Sequence, residues 1–199
     1  GYSRRARELG LINLPYRVPC MSSSSVLRFD IGDSVVYPNH GVGIIEQISS
    51  RTSGATVERF YLLRIKNSSL KVMVPFHSVD SVGLRRVVRN GEVQKIVEYL
   101  TDGKCCSHTD WKYRFKENSD KMRTGSLMEV AAVLKSLLQL SQSKPLSFRE
   151  KKMLERARFL LVTELAMAKN CHEEEIEHVL SKALSKSKLR FPESIVGEA

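Results

Sequence analysis

The first part of the chain carries apolar residues in short runs that are separated by turn residues. One run ends at Pro38-Asn39-His40-Gly41 and another is followed by Asn67-Ser68-Ser69. The runs predict strands over 29–37, 42–50, 57–66 and 71–76, with a hairpin connection over 51–55. Strands at such close spacing are typical of a small barrel or sandwich. We expect about five strands between residues 28 and 88, closed into a barrel that removes most strand edges.

Near residue 90 the spacing of apolar residues changes to that of an α-helix. Helices are predicted over 92–100, 110–123, 126–142, 147–168 and from about 170 to 183. The start signals are capping residues, most of them followed by Glu three residues later: Thr109 or Asp110, Ser126 with Glu129, Ser147 with Glu150, and Asn170 with Glu173. The last helices therefore have local signals for where they begin.

The two patterns together predict an α+β protein, a five-stranded β-barrel followed by a compact all-α domain of about five helices. The first residue is Gly, and Met21 opens a run of four serines before any strand pattern. We therefore expect a flexible extension over 1–25, a barrel over 26–89, a helical domain over 90–187 and a disordered tail over 188–199.

Basic residues are concentrated in the first part of the helical domain. The chain has a formal net charge of +10, and residues 104–158 contain thirteen basic and six acidic residues. Lys112 and Lys116 are one helical turn apart, and Arg149, Lys152 and Arg156 share one face of the long helix. Such a set favours DNA phosphates as partner, although a solvated helix face with local ion pairs would have the same pattern.

Trp111 lies where aromatic and cationic residues alternate, in the segment WKYRFK at 111–116. An exposed indole there would stack on an unpaired base or insert beside it. Trp111, Phe115 and Met122 also fall near one helical face, which is typical of core packing. The pattern alone favours core packing and keeps the contact with an unpaired base as the alternative.

Other chemistry finds little support in the sequence. The four cysteines have no disulfide-framework spacing, which favours a reduced cytoplasm, and no apolar run is long enough to span a bilayer. Cys105, Cys106 and His108 are close together, as are Cys171 and His172, but their spacing is not that of a zinc finger. We expect no metal, no cofactor, no catalytic residue and a monomer.

Three segments resemble the CarD/CdnL family of bacterial transcription factors. The stretch FDIGDSVVYPNHGVG at 29–43 resembles the opening of these proteins and the polymerase-interacting module of the transcription-repair coupling factor. TDWKYRFK at 109–116 is similar to the family's tryptophan-bearing segment, and LSFREKKMLERA at 146–157 to its long helix. The resemblance covers residues 27–185 in the expected order.

The resemblance implies an SH3/Tudor-like barrel that binds the RNA polymerase β subunit, with Arg51, Thr52 and Lys71 at the contact. Met73 stands where some members carry arginine. It also implies a helical domain at the upstream edge of the transcription bubble, with Trp111 in the minor groove and Arg114 and Lys116 on the DNA backbone. Such a factor stabilises the open promoter complex, notably at ribosomal RNA promoters, without covalent chemistry.

Two other classes of function are compatible with the same residues. A Tudor-like adaptor would bind a protein partner through the barrel and use its basic helices for solubility alone. A metal-dependent enzyme would use the cysteine and histidine cluster. The effect of replacing Trp111 distinguishes the adaptor from the initiation factor, and metal analysis of the purified protein tests the enzyme.

Overall fold

The computed structural model describes residues 28–102 and 110–192. The predicted extension over 1–25, the cluster of Cys105, Cys106 and His108, and residues 193–199 lie outside these ranges. Over the described ranges the chain is α+β, and a sheet is followed by a group of helices.

The sheet has five antiparallel strands in the order β4-β3-β2-β1-β5. The strands are β1 (Ser34–Tyr37), β2 (Gly41–Ser53), β3 (Thr56–Ile65), β4 (Lys71–Pro75) and β5 (Arg85–Arg86). The hairpin of β2 and β3 is longer than predicted, because both strands continue through most of the segment assigned to the connection. Its pairing shifts register between Ile45 and Gln47.

The sheet is open, which corrects the expected closed barrel. Strands β4 and β5 lie at opposite edges of the described sheet. The chain between them forms a 3₁₀ turn (Phe76–Ser78) and a short helix α1 (Val79–Val82) instead of extended backbone. Phe76 stacks on Tyr61 with ring centroids 4.2 Å apart, and Val79 is buried. This segment therefore covers the sheet core with side chains. The strand that follows it, β5, pairs with β1 through two residues.

The helical part contains α2 (Asn90–Thr101), α3 (Trp111–Arg123), α4 (Leu127–Ser143), α5 (Phe148–Lys169) and α6 (Glu173–Lys186). Their apolar faces form one core that is separate from the sheet core. Leu189 is buried in this core and Phe191 packs against it, although both fall in the tail predicted from residue 188. No helix of the described ranges is long and apolar enough to cross a membrane.

Three helix starts differ in their capping. Ser147 and Glu150 form the predicted capping box at α5. At α4 the Ser126 side chain accepts from the Glu129 N–H, but the Ser126 N–H donates to Thr124 Oγ1. Asn170 does not begin α6: it ends α5 with φ 51°, a left-handed conformation that Asn tolerates, and His172 precedes α6.

A partly buried ion pair joins the sheet to the helices. Both oxygens of Glu164 on α5 accept hydrogen bonds from the Arg85 guanidinium on β5, at 2.7 and 2.8 Å. Glu164 also accepts from the Val88 N–H at 3.0 Å, and Arg85 Nε donates to the Gly125 carbonyl at 2.6 Å. One arginine therefore links β5, α5 and the turn between α3 and α4. We call Arg85, Glu164 and Gly125 the junction.

Two glycines allow close approach at the same place. Gly41 has φ 95°, and a β-carbon there would lie 3.3 Å from Leu160 Cδ2 on α5. Gly125 has φ 77°, and its β-carbon would lie 2.9 Å from Cγ of Pro38 in the β1–β2 turn. A larger residue at either position would strain the backbone and push the sheet away from the helices.

Candidate nucleic-acid interface

The N-terminal ends of α3 and α5 lie side by side. Arg114 on α3 forms an ion pair with Glu150 on α5, with 3.7 Å between NH2 and Oε2. Next to this pair, the guanidinium of Arg149, one residue earlier on α5, lies 4.6 Å from the ring centre of Phe115, one residue later on α3. Since α3 and α5 each begin only a few residues earlier, the positive ends of two helix dipoles are brought together here.

An open groove of about 750 Å³ runs from this point between α3 and α5 to the β1–β2 turn. Its cations are Arg123 on α3 and Arg149, Lys152 and Arg156 on α5, and the acidic Glu155 also lines it. Its apolar lining includes Phe115, Met122 and Phe159. Lys112 and Lys116 are exposed earlier on α3 and are not among the residues that line the groove. We call the four lining cations, together with these two lysines beside them, the basic groove. Its cations come from two helices that the chain connects through α4, so it depends on the helical fold.

The sequence-predicted cations are not equally accessible. Lys112, Lys116, Arg149 and Lys152 are exposed. Arg156 is half-buried, and its guanidinium donates to the Asn39 carbonyl of the β1–β2 turn. Arg114 is 4% exposed and lies between α3 and α5 with its charge next to Glu150. Arg114 is thus placed to hold the two helices together, and we leave it out of the basic groove.

Trp111 is the first residue of α3, directly after the N-cap Asp110, whose side chain accepts from the Lys112 N–H. The Trp111 side chain lies outside the described part of the structure, so its role as a wedge remains a prediction. The position of the backbone puts residue 111 at the shared end of α3 and α5.

The residues predicted to bind polymerase lie on the sheet. Arg51 and Thr52 are exposed near the tip of the β2–β3 hairpin, where Thr52 pairs with Val57, itself 63% exposed. Lys71 and Met73 are exposed on β4, at one edge of the described sheet. Met73 is paired with the half-buried Leu62 and is 55% exposed, so this face has an apolar contact position.

Metal binding finds no geometric support in the described ranges, where no three His, Cys, Asp or Glu side chains are grouped closely enough to hold an ion. Cys171 and His172 fall within these ranges. The predicted cluster at 105–108 does not.

Comparison with known proteins matches both parts of the chain. Residues 29–88 match the family model of the CarD-like/TRCF RID domain, and residues 95–181 match that of the CarD C-terminal domain. A Bacillus subtilis (strain 168) protein named "Putative transcription factor YdeB" is 35% identical over 149 residues, which are 75% of this chain and 97% of that protein. The chain belongs to the CarD family of transcription factors.

Within this CarD-family fold, sequence reasoning missed two exposed aromatic rings next to the basic groove. Phe148, the first residue of α5, is 70% exposed, and Tyr113 on α3 is 69% exposed. A signal was available for Phe148, because it follows the N-cap directly and falls outside the apolar repeat of Leu154, Ala157 and Leu161. Arg123 was also missed, since only the folded groove brings it near α5.

Proposed function

We propose that this protein regulates transcription initiation by binding the RNA polymerase β subunit through its sheet and promoter DNA through its basic groove. Bound at the upstream edge of the bubble, it stabilises the open complex, including that at ribosomal RNA promoters. The observation that carries the proposal is the basic groove, which aligns cations of α3 and α5 in one open channel. Phosphate contacts of this kind are independent of sequence, which suits a factor that acts at many promoters.

The polymerase contact is supported by the edge of the sheet. Within the described sheet, strand β4 has a neighbour on one side only, so its outer backbone groups could pair with a strand of a partner. Lys71 and Met73 point to the same side of β4 because they are two residues apart. A cation and an apolar side chain would give such a pairing its specificity.

Binding polymerase and DNA at the same time would allow a protein with weak affinity for DNA to have a strong effect on the open complex. Attachment to polymerase raises the effective concentration of the basic groove at the DNA. A protein that binds the open complex more tightly than the closed complex shifts their balance by that difference in affinity. Trp111, at the shared end of α3 and α5, is the residue we expect to distinguish opened from closed DNA.

The test is the lifetime of open complexes at a ribosomal RNA promoter with cognate polymerase. We expect the protein to lengthen this lifetime, Trp111→Ala to remove most of the gain, and the double variant Arg149→Gln/Lys152→Gln to reduce it. All variants should still bind polymerase in the absence of DNA.

Matched control residues are Lys182 and Lys186 on α6, because Lys182→Gln/Lys186→Gln removes the same charge outside the basic groove. It should keep the full lifetime gain. If wild-type protein binds polymerase but leaves the lifetime unchanged, the proposal is wrong and the adaptor function applies. In that case the exposed hairpin and β4 would be the functional surface.

A further inference from the structure

Phe148 exposes an aromatic ring at a position that its surroundings hold firmly. It follows the capping box of Ser147 and Glu150, so the backbone that carries it is fixed at the start of a 22-residue helix. The Lys152 ammonium lies 4.6 Å from the centre of its ring, one helical turn further along. This contact orients the ring on one side, yet 70% of the residue remains accessible.

The ring is not an isolated apolar residue on the surface. Among the large hydrophobic side chains that the described ranges leave exposed, the two aromatic ones are Phe148 and Tyr113. Each lies within the first turn of its helix, and the Arg114–Glu150 ion pair holds these helix starts together. Exposed cations on both helices lie beside these two aromatic residues in sequence. Apolar rings among cations match a ligand that has both flat bases and phosphates.

Paired bases are stacked inside a duplex, so an aromatic ring on a protein surface gains little from fully paired DNA. Unpaired bases expose their faces and stack on aromatic side chains, with little dependence on sequence. The cations of the basic groove would bind the phosphates of either form. Phosphate contacts therefore predict similar affinity for duplex and forked DNA, whereas ring stacking predicts a preference for forked DNA.

We propose that Phe148 is a base-stacking residue that binds an unpaired nucleotide at a DNA fork. The inference deepens the proposed function, since it names the form of DNA that the shared end of α3 and α5 recognises. The ligand is single-stranded nucleic acid adjoining a duplex. Lys152 would serve twice, by orienting the ring and by contacting the adjoining phosphate.

The test compares the isolated full chain on two labelled DNAs of equal length, one fully paired and one ending in a fork, by fluorescence anisotropy. Phe148→Ala should weaken binding to the fork by about fivefold or more, the factor that corresponds to loss of one stacked base. Its affinity for the paired duplex should stay within about twofold, because phosphate contacts dominate there.

Two further variants separate stacking from apolar contact and from altered folding. Phe148→Trp should keep the preference for the fork, whereas Phe148→Leu, which retains apolar area without a flat ring, should lose it. Val179→Ala, at another exposed apolar residue on α6, should leave both affinities unchanged.

Equal losses on both DNAs, or no loss on either, would overturn the inference. So would weaker binding of Phe148→Ala to polymerase in the absence of DNA, which would make Phe148 a protein contact. Since these DNA measurements use no polymerase, a failure to lengthen open-complex lifetimes would contradict the proposed function and leave the fork preference to be decided separately.

Discussion

Three charged side chains of the described residues are buried in the helical part, and each has a partner. Lys135, fully buried on α4, donates to the Tyr99 carbonyl at 2.6 Å and lies 4.3 Å from the Tyr99 ring centre. Glu164 binds Arg85, and Arg114 lies next to Glu150. A buried charge without such a partner would be strongly destabilising. These charges therefore tie specific elements together.

Cys171, beside the end of α5, has a thiol whose pKa is raised above its ordinary value. Burial raises its pKa, and the carboxylate of Glu175 raises it further, by its charge and by a hydrogen bond with the thiol. A raised pKa means less thiolate at a given pH, and the thiolate is the nucleophile. We expect Cys171 to react more slowly with iodoacetamide at pH 7.5 in the folded than in the unfolded chain, measured by mass spectrometry of the Cys171 peptide.

The pH profile of this reaction distinguishes electrostatics from simple shielding. Glu175→Gln should lower the pH at which the rate is half-maximal and speed the reaction near neutral pH. Lys182→Gln, further along α6, serves as the control and should leave the profile unchanged. A profile that is the same in Glu175→Gln as in the wild type would contradict the assigned cause.

At the scale of elements, the capping box of α5 positions the start of the basic groove. Ser147→Ala removes the acceptor for the Glu150 N–H and should lower the free energy of unfolding by about 1 kcal/mol, as measured by urea denaturation. Ser181→Ala, at an exposed position inside α6, should leave stability equal or slightly higher, because Ala is the better helix former. Equal effects of the two changes would show that the cap contributes nothing.

Local signals predicted the elements well, and failed where two signals compete for one residue. Ser147 and Glu150 form their cap because both partners lie within one turn of sequence. Asn is favoured at N-caps, but it also tolerates the left-handed conformation that ends many helices. Asn170 adopts this second role at the end of α5. The closed barrel was predicted wrongly because apolar residues after β4 contribute to the sheet core without forming a strand. Phe76 stacks on Tyr61 and Val79 is buried, although both lie in helical turns.

The candidate site was predictable only in its exposed, sequence-local part. Lys112, Lys116, Arg149 and Lys152 follow helical spacing and are exposed as expected. Arg114 belongs to the same pattern, yet it is buried, because α5 supplies Glu150 as a partner 36 residues later. Helical periodicity carries no information about contacts between helices, and so neither the groove nor the junction could be predicted from it.

At the scale of the whole molecule, the junction fixes how the sheet is oriented relative to the basic groove. The proposed function needs both to reach their partners at once, and the gain from linking two contacts is lost when the geometry forbids it. Arg85 is the residue that joins three elements, since its guanidinium binds Glu164 and the Gly125 carbonyl. Weakening the junction should therefore reduce the lifetime of the open complex more than it reduces the affinity for polymerase or for DNA measured alone.

Glu164→Gln tests this, because it keeps the shape of the side chain and removes its charge. Glu164 is 3% and Arg85 25% exposed as side chains, so loss of the pair should cost toward the lower end of about 3–5 kcal/mol, as partial exposure lets water solvate Arg85. We expect unchanged affinity for polymerase and for duplex DNA, each measured separately, but a shorter open-complex lifetime. Glu177→Gln is the control: it removes the same charge from a more exposed pair with Arg158, which lies within the helical part and does not reach the sheet, and it should keep the lifetime. If Glu164→Gln remains folded and retains the full lifetime gain, the orientation held by the junction is not needed, and the two contacts act as if flexibly tethered.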